Sequence, residues 1–226
     1  MLSAPRNPVP VFPLPNLVLF PHALAPLHVF ELRYRTMVRD ALSGERVIAM
    51  ALLKRGWESD YEGSPEFHEI GCLARFQEVE WLPNDCYQLL VVGTSRVHLG
   101  RVVKEFPYRA ARVTLLAQEP YTEDDPLVLS ERAAVMDRIR RMLSGPTGAM
   151  SPEAAAACAA LDQATYECVV NALCTRLEAE PQEKLELLAL DSVLERGRRA
   201  LELTRRRRVA RPGPTQAPPD EPGERN

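Results

Sequence analysis

Gly71-Cys-Leu-Ala-Arg-Phe-Gln-Glu-Val-Glu-Trp81, the turn Leu82-Pro-Asn-Asp85 and Tyr87-Gln-Leu-Leu-Val-Val92 decide the fold. Successive side chains of a strand point to opposite sides, so Cys72, Ala74 and Phe76 share one face and Leu73, Arg75 and Gln77 the other. The apolar phase then moves to Val79 and Trp81, and a one-residue shift of this kind predicts a β-bulge. Pro83-Asn-Asp85 is turn chemistry, and the apolar run after it returns as the partner strand of a hairpin. Gly93 is expected to end that second strand.

Further strands lie on both sides of this hairpin. Val47-Ile-Ala-Met-Ala-Leu-Leu53 is a short apolar run bounded by Gly44 and by Lys54-Arg-Gly56, the profile of a buried strand. Arg96 to Val103 and Arg109 to Leu116 add two more, the latter with Ala111, Val113 and Leu115 on one face. Strands this short and this closely spaced predict a mostly antiparallel sheet that curls on itself. One helix interrupts them: Phe30, Tyr34, Met37, Val38 and Ala41 follow the spacing of a single buried stripe, and Gly44 ends it. The stretch before that helix carries Pro8, Pro10, Pro13, Pro15, Pro21 and Pro26. Proline cannot donate to a ladder, so Leu17–Phe20 and Leu27–Val29 are expected as short strands or edges between turns.

From Asp125 onward the periodicity is helical. Asp125-Pro126 and Ser151-Pro152 each supply an N-cap followed by a first-turn proline. Val128, Val135, Ile139 and Met142 form one stripe, stopped by Ser144-Gly-Pro146. Tyr166, Val169, Val170, Leu173 and Leu177 form another. Pro181 restarts the chain, and Leu190, Leu194, Gly197 and Leu201 are expected on one side of a last helix. Short connections between such helices favour an antiparallel bundle. The segment from Arg206 holds five prolines and few apolar residues, a composition that does not repay its ordering entropy.

Composition narrows the function classes. The chain has 226 residues, a net charge of −3 and 46% hydrophobic residues, with no apolar run long enough to span a bilayer and no basic start leading into a signal-like apolar stretch. Five cysteines without a C-x-x-C pair fit a reducing, cytoplasmic compartment. His22, His28, His68 and His98 lack ligand spacing, so no metal is expected. No phosphate-binding G-x-x-x-x-G-K-[ST] loop and no G-x-S-x-G elbow is present, and Ser95 has no identifiable base. Cys86, in the hairpin turn, lacks a basic neighbour in sequence and is expected to be unreactive. These absences predict no cofactor and no catalytic residue.

The N-terminal segment Val9-Pro-Val-Phe-Pro-Leu-Pro-Asn-Leu-Val-Leu-Phe-Pro21, followed by Pro26-Leu-His-Val-Phe-Glu-Leu-Arg-Tyr-Arg-Thr-Met-Val38, resembles the start of the substrate-binding domain of Lon proteases, in the wording of its free-standing bacterial members. The likeness continues in order through Val47–Lys54, Glu69–Phe76, Leu90–Val97, Tyr108–Val113 and Pro181–Asp191 with Glu195-Arg196, covering roughly residues 8 to 205. The third helical stripe, near Tyr166–Val170, matches the family poorly. The resemblance implies an α+β chain: a PUA-like, mostly antiparallel β pseudo-barrel with one helix over 1–118, a helical bundle over 124–205 and a disordered Pro/Arg-rich tail over 206–226. A full Lon protease continues into ATPase and Ser–Lys protease modules, before which this sequence stops, so neither activity is expected here. The implied role is a non-catalytic module that binds unfolded or extended polypeptide, with a separate protease or chaperone as a further partner. Edge strands with exposed apolar side chains suit that task, and the candidate contacts are Phe20, Pro21, His22, Phe30, Tyr34, Trp81 and Arg96. Periodicity assigns Phe30 and Tyr34 to the core, which leaves Trp81, beside its Pro-Asn turn, as the better surface residue. An alternative is RNA binding, since PUA-type barrels can recognise RNA. Arg196 to Arg211 holds eight arginines against Glu202 alone, and Arg205–Arg208 would meet phosphates. The negative overall charge and the lack of an interleaved basic and aromatic strip weigh against it.

Overall fold

In the computed structural model the described residues are 5, 7–60, 63–144 and 148–210, with side chains described through 206. Six strands, β1 (Val9–Leu14), β2 (Leu24–Val29), β3 (Val47–Leu53), β4 (Phe67–Trp81), β5 (Tyr87–Lys104) and β6 (Ala110–Leu115), alternate early on with helix α1 (Leu32–Ser43) and a short 3₁₀ turn at Trp57–Asp60. Helices α2 (Pro126–Leu143), α3 (Pro152–Asp162), α4 (Tyr166–Arg176), α5 (Pro181–Ala189) and α6 (Val193–Ala210) follow. The chain is α+β, with a mostly antiparallel sheet in which only the β1–β3 pairing is parallel.

The sheet closes because β4 and β5 are long and bent. Strand order is β2-β5-β4-β3-β1-β6, and β6 pairs back onto the second half of β5, so β1, β3, β4, β5 and β6 form a ring. Register shifts at Leu73/Ala74 and Phe76/Glu78 bend the hairpin. The second of these is the bulge that the apolar phase of Gly71–Trp81 predicts. Val9, Val11, Ala49, Ala51, Leu73, Val97, Leu99 and Ala111 fill the ring. Its three alanines let the strands approach as closely as a small barrel requires. A larger cluster on the other side of the sheet joins Phe20, Leu27, Val29, Met37, Val38, Leu89 and Val91 to the helical layer through Val135, Tyr166, Leu173 and Leu188.

Three expectations are corrected. Gly93 does not end a strand: β5 runs through it to Lys104, and the two strands expected at Tyr87–Val92 and Arg96–Val103 are one. Glycine is needed at 93 because a Cβ there would collide with the Phe20 carbonyl, which crosses directly over it. Phe30 does not belong to the α1 stripe: the helix begins only at Leu32, and while Tyr34, Met37, Val38 and Ala41 are buried, Phe30 remains on the extended approach and faces solvent. The last helix does not carry Leu190, because α5 ends at Ala189 and α6 starts at Val193. Helix α6 continues to Ala210, past Arg206, and residues 211–226 of the expected tail lie outside the described residues.

The helix starts follow their sequence signals. Asp125 accepts from the Leu127 N–H at 2.8 Å ahead of Pro126, and Ser151 accepts from the Ala154 N–H at 3.2 Å ahead of Pro152. Thr165 caps α4 through the Cys168 N–H at 3.4 Å.

Candidate functional site

Strand β2 pairs with β5 along its whole length, Leu24 opposite Val92 through Val29 opposite Tyr87, and with no other described strand. Its bonded phase is set where it begins. His22 N–H donates to the Gly93 carbonyl at 2.8 Å, and Gly93 N–H to the Ala23 carbonyl at 2.9 Å. Antiparallel bonding alternates, so Ala25, Leu27 and Val29 turn their main-chain groups to β5, and Leu24, Pro26 and His28 turn theirs outward. Pro26, which has no N–H to give, therefore sits in the outward set, where proline is tolerated. The result is an open edge with carbonyl acceptors at Leu24, Pro26 and His28 and N–H donors at Leu24 and His28.

Side chains along this edge are unusually apolar for a surface. Ala25, Leu27 and Val29 are buried, whereas Leu24 is 52% exposed, Phe30 61% and Leu32 64%. His28 stacks on Phe30 with ring centroids 6.0 Å apart. Across the outer face, Leu24 lies beside Val92 and Pro26 beside Leu90, both half-buried, before the surface turns charged at Arg75, Glu78 and Glu80 of β4. At the far end, register sets Trp81 across from Tyr87 and, one strand further, Val29. Trp81 is 68% exposed, and its indole N–H donates to Asp85 Oδ1 at 3.2 Å. Asp85 also binds Arg35 of α1 at 2.5 Å, which fixes the hairpin tip against the helix that carries Leu32. That register puts Trp81 on the sheet face of Val29, opposite to the one on which Leu24, Pro26 and His28 stand, so the hairpin tip is exposed but lies apart from the outer face of β2.

The candidate residues divide cleanly. Phe30, stacked on His28, is beside the edge, His22 is exposed just ahead of β2, and Trp81 is exposed at the hairpin tip on the other face of the sheet. Phe20 is fully buried and Pro21 is buried beside it; Tyr34 packs its ring 4.6 Å from Phe12. Arg96, at 4% exposure, faces inward: it donates to the Leu188 carbonyl at 3.1 Å and to the Ala117 carbonyl, and pairs with Asp191 at 2.9 Å. Its charge serves the contact between β5 and α5. Leu24 and Leu32 were absent from the sequence candidates. The phase of Leu24-Ala-Pro-Leu-His-Val29, with proline fixing the outward set, was the signal that could have found Leu24.

His22 has a second neighbour. It adopts φ 67°, its Nε2 lies 3.9 Å from Glu167 Oε2, and it neighbours the Cys168 thiol in the first turn of α4, to which Thr165 Oγ1 donates at 3.2 Å. The imidazole draws the Cys168 pKa below its ordinary value, and the thiol draws that of His22 above its own. Cys72 and Cys174 are pushed up to about 12 by burial, and all five cysteines are free. Cys86 is buried. Among the described residues no three His, Cys, Asp or Glu side chains converge as metal ligands, and no helix is long and apolar enough to cross a membrane.

The fold that these strands and helices build is shared with solved N-terminal domains of Lon proteases. The chain superposes on the N-terminal domain of the Mycobacterium avium complex Lon protease with a TM-score of 0.67 at 16% identity, covering 88% of this chain and 98% of that one. With a Lon N-terminal domain protein from Xanthomonas campestris the TM-score is 0.63 at 24% identity, covering 87% and 98%. In sequence it is 25% identical over 201 residues to the Lon protease of Anaeromyxobacter dehalogenans, and 30% identical over 116 residues to Lon protease 2 of Myxococcus xanthus. Those matches take in 88% and 51% of this chain but only 23% and 14% of the relatives. The family model of the ATP-dependent protease La (LON) substrate-binding domain matches residues 8–206, and the chain belongs to that family.

Proposed function

We propose that this chain is a non-catalytic, cytoplasmic binding module that captures unfolded or extended polypeptide along the open edge of β2. The observation that carries this reading is one unpaired strand edge flanked by Leu24, Phe30 and Leu32. An extended chain added there gains main-chain hydrogen bonds whatever its sequence, and its alternate side chains meet the apolar rim. Such recognition selects for an unfolded backbone rather than for a particular side chain, which is what a substrate-recognition domain needs. Folded proteins keep their backbone groups paired and are refused. A separate protease or chaperone is the partner that would receive the captured chain. The outer face next to β2 carries Glu78 and Glu80 beside Arg75, a charge balance that weighs against RNA there.

The test is a titration of dye-labelled, cysteine-alkylated α-lactalbumin, which cannot refold, against its native form. Saturable binding of the unfolded form only, lost in a folded Leu24→Asp variant, is the expected result. Equal binding of native protein, or indifference to the charge at Leu24, would overturn the assignment to this edge. Turnover of ATP or peptide by the purified chain would overturn its non-catalytic character.

A further inference from the structure

Beside the first turn of α1 lies a cleft of about 120 Å³ that the β2 surface does not use. Arg33, Tyr34 and Arg109 line one part of it, and Val11, Phe106 and Pro107 another. The charges there are unevenly matched. Arg33 is tied to Glu31 at 2.9 Å and donates to the Gly63 carbonyl at 3.2 Å. Arg109, half-buried, sits over the Phe67 ring at 4.5 Å, with no described carboxylate in ion-pair reach. Burial draws its pKa down, and the charges of Glu105 and Asp60, too far for an ion pair, offset this only in part. Tyr34 lines the same cleft; its ring packs against Phe12, and no described acceptor takes its hydroxyl proton. Glu105 reaches the rim but is exposed.

A guanidinium fork and a phenol hydroxyl that line one space, neither with a described hydrogen-bond acceptor, are donors that a carboxylate satisfies with both oxygens. The opposite wall is apolar, with Phe106 at the lip exposing 80% of its surface. A group that is anionic at one end and apolar beside it fits this pairing. The last residue of a polypeptide is such a group, and the cleft has room for little more than one. We propose that the Arg109 cleft binds the C-terminal carboxylate of a polypeptide whose final side chain is apolar. The polypeptide reading above supplies the owner of the carboxylate; the donor set of the cleft stands without it.

The test is a side-chain NMR titration of Arg109 with N-acetyl-leucine, N-acetyl-leucinamide and N-acetyl-aspartic acid α-amide. The first carries a terminal carboxylate, the second none, and the third only a side-chain carboxylate. A saturable shift with N-acetyl-leucine, at least tenfold weaker with the other two, is expected. Arg109→Gln should abolish the shift of neighbouring cleft resonances. Tyr34→Phe, which keeps the core ring, should weaken binding severalfold, so the proposal stays testable if the arginine variant misfolds. No saturable shift with N-acetyl-leucine, or equal response to the amide or the aspartate derivative, would overturn it. Leu24→Asp leaves this titration unchanged, so loss of β2 binding and loss of cleft binding are separately visible.

Discussion

Replacing Phe30 by alanine removes the largest apolar side chain next to the β2 edge while leaving the fold alone. The ring is 61% exposed. An aromatic side chain presents roughly 150–250 Å², so about 100 Å² of Phe30 is open to a partner. At ~25 cal/mol per Å², complete coverage would contribute about 2.5 kcal/mol. An extended chain lying along the edge covers about half of that, leaving about 1.3 kcal/mol, or a roughly tenfold rise in Kd. Because the side chain is outside the core, the thermal midpoint should move by less than about 2 °C, within the small range of surface substitutions. The assay is fluorescence anisotropy of a labelled unfolded polypeptide, paired with thermal melting followed by circular dichroism. Leu129→Ala on α2, also exposed but remote from β2, serves as the control. Equal losses from the two substitutions, or an unchanged Kd for Phe30→Ala with a normal melt, would refute the placement of the site.

Two further outcomes follow from other parts of the molecule. Arg196, fully buried, donates to the Leu187 carbonyl at 3.1 Å, Asn171 Oδ1 at 2.9 Å and the Leu190 carbonyl at 2.7 Å. Leu187 keeps a second donor in the Leu190 N–H, so Arg196→Met orphans two acceptors and should cost about 2–4 kcal/mol in urea unfolding; a loss under about 1 kcal/mol would show that water or relaxation satisfies them. For Cys168, whose folded pKa is lowered chiefly by His22, the thiolate persists as pH falls below the ordinary thiol value of 9.0. Iodoacetamide should therefore label Cys168 first, with a midpoint below 9.0 that rises in His22→Asn, a residue that tolerates the positive φ; a midpoint indifferent to that substitution would dissolve the pair.

The fold was legible where periodicity and punctuation agree. The bulge in β4 was visible because its apolar phase shifts by one residue, and the starts of α2 and α3 were visible because Asp125-Pro and Ser151-Pro are capping chemistry. Gly93 misled because glycine marks both a strand end and a place where another backbone passes, and the Phe20 carbonyl comes from 73 residues away in the chain. Phe30 misled because it falls in helical phase with Tyr34, yet the helix had not begun. Arg96 misled because a charged residue on a strand reads as surface. Its burial depends on the Leu188 carbonyl and Asp191, more than 90 residues distant, which no local pattern reveals. The Arg109 cleft escaped notice for the same reason: its donors come from α1 and from the approach to β6.

The inward turn of Arg96 also bears on how this molecule can be divided. A boundary drawn between β6 and α2 looks natural along the chain, yet the guanidinium of a barrel strand is neutralised and hydrogen-bonded by the end of α5. A fragment trimmed to the strands alone would carry a desolvated cation facing a vacated interior, and a fragment of helices alone would keep a bare Leu188 carbonyl. The two layers are therefore expected to melt in a single transition, and engineering that seeks a minimal binder should keep both.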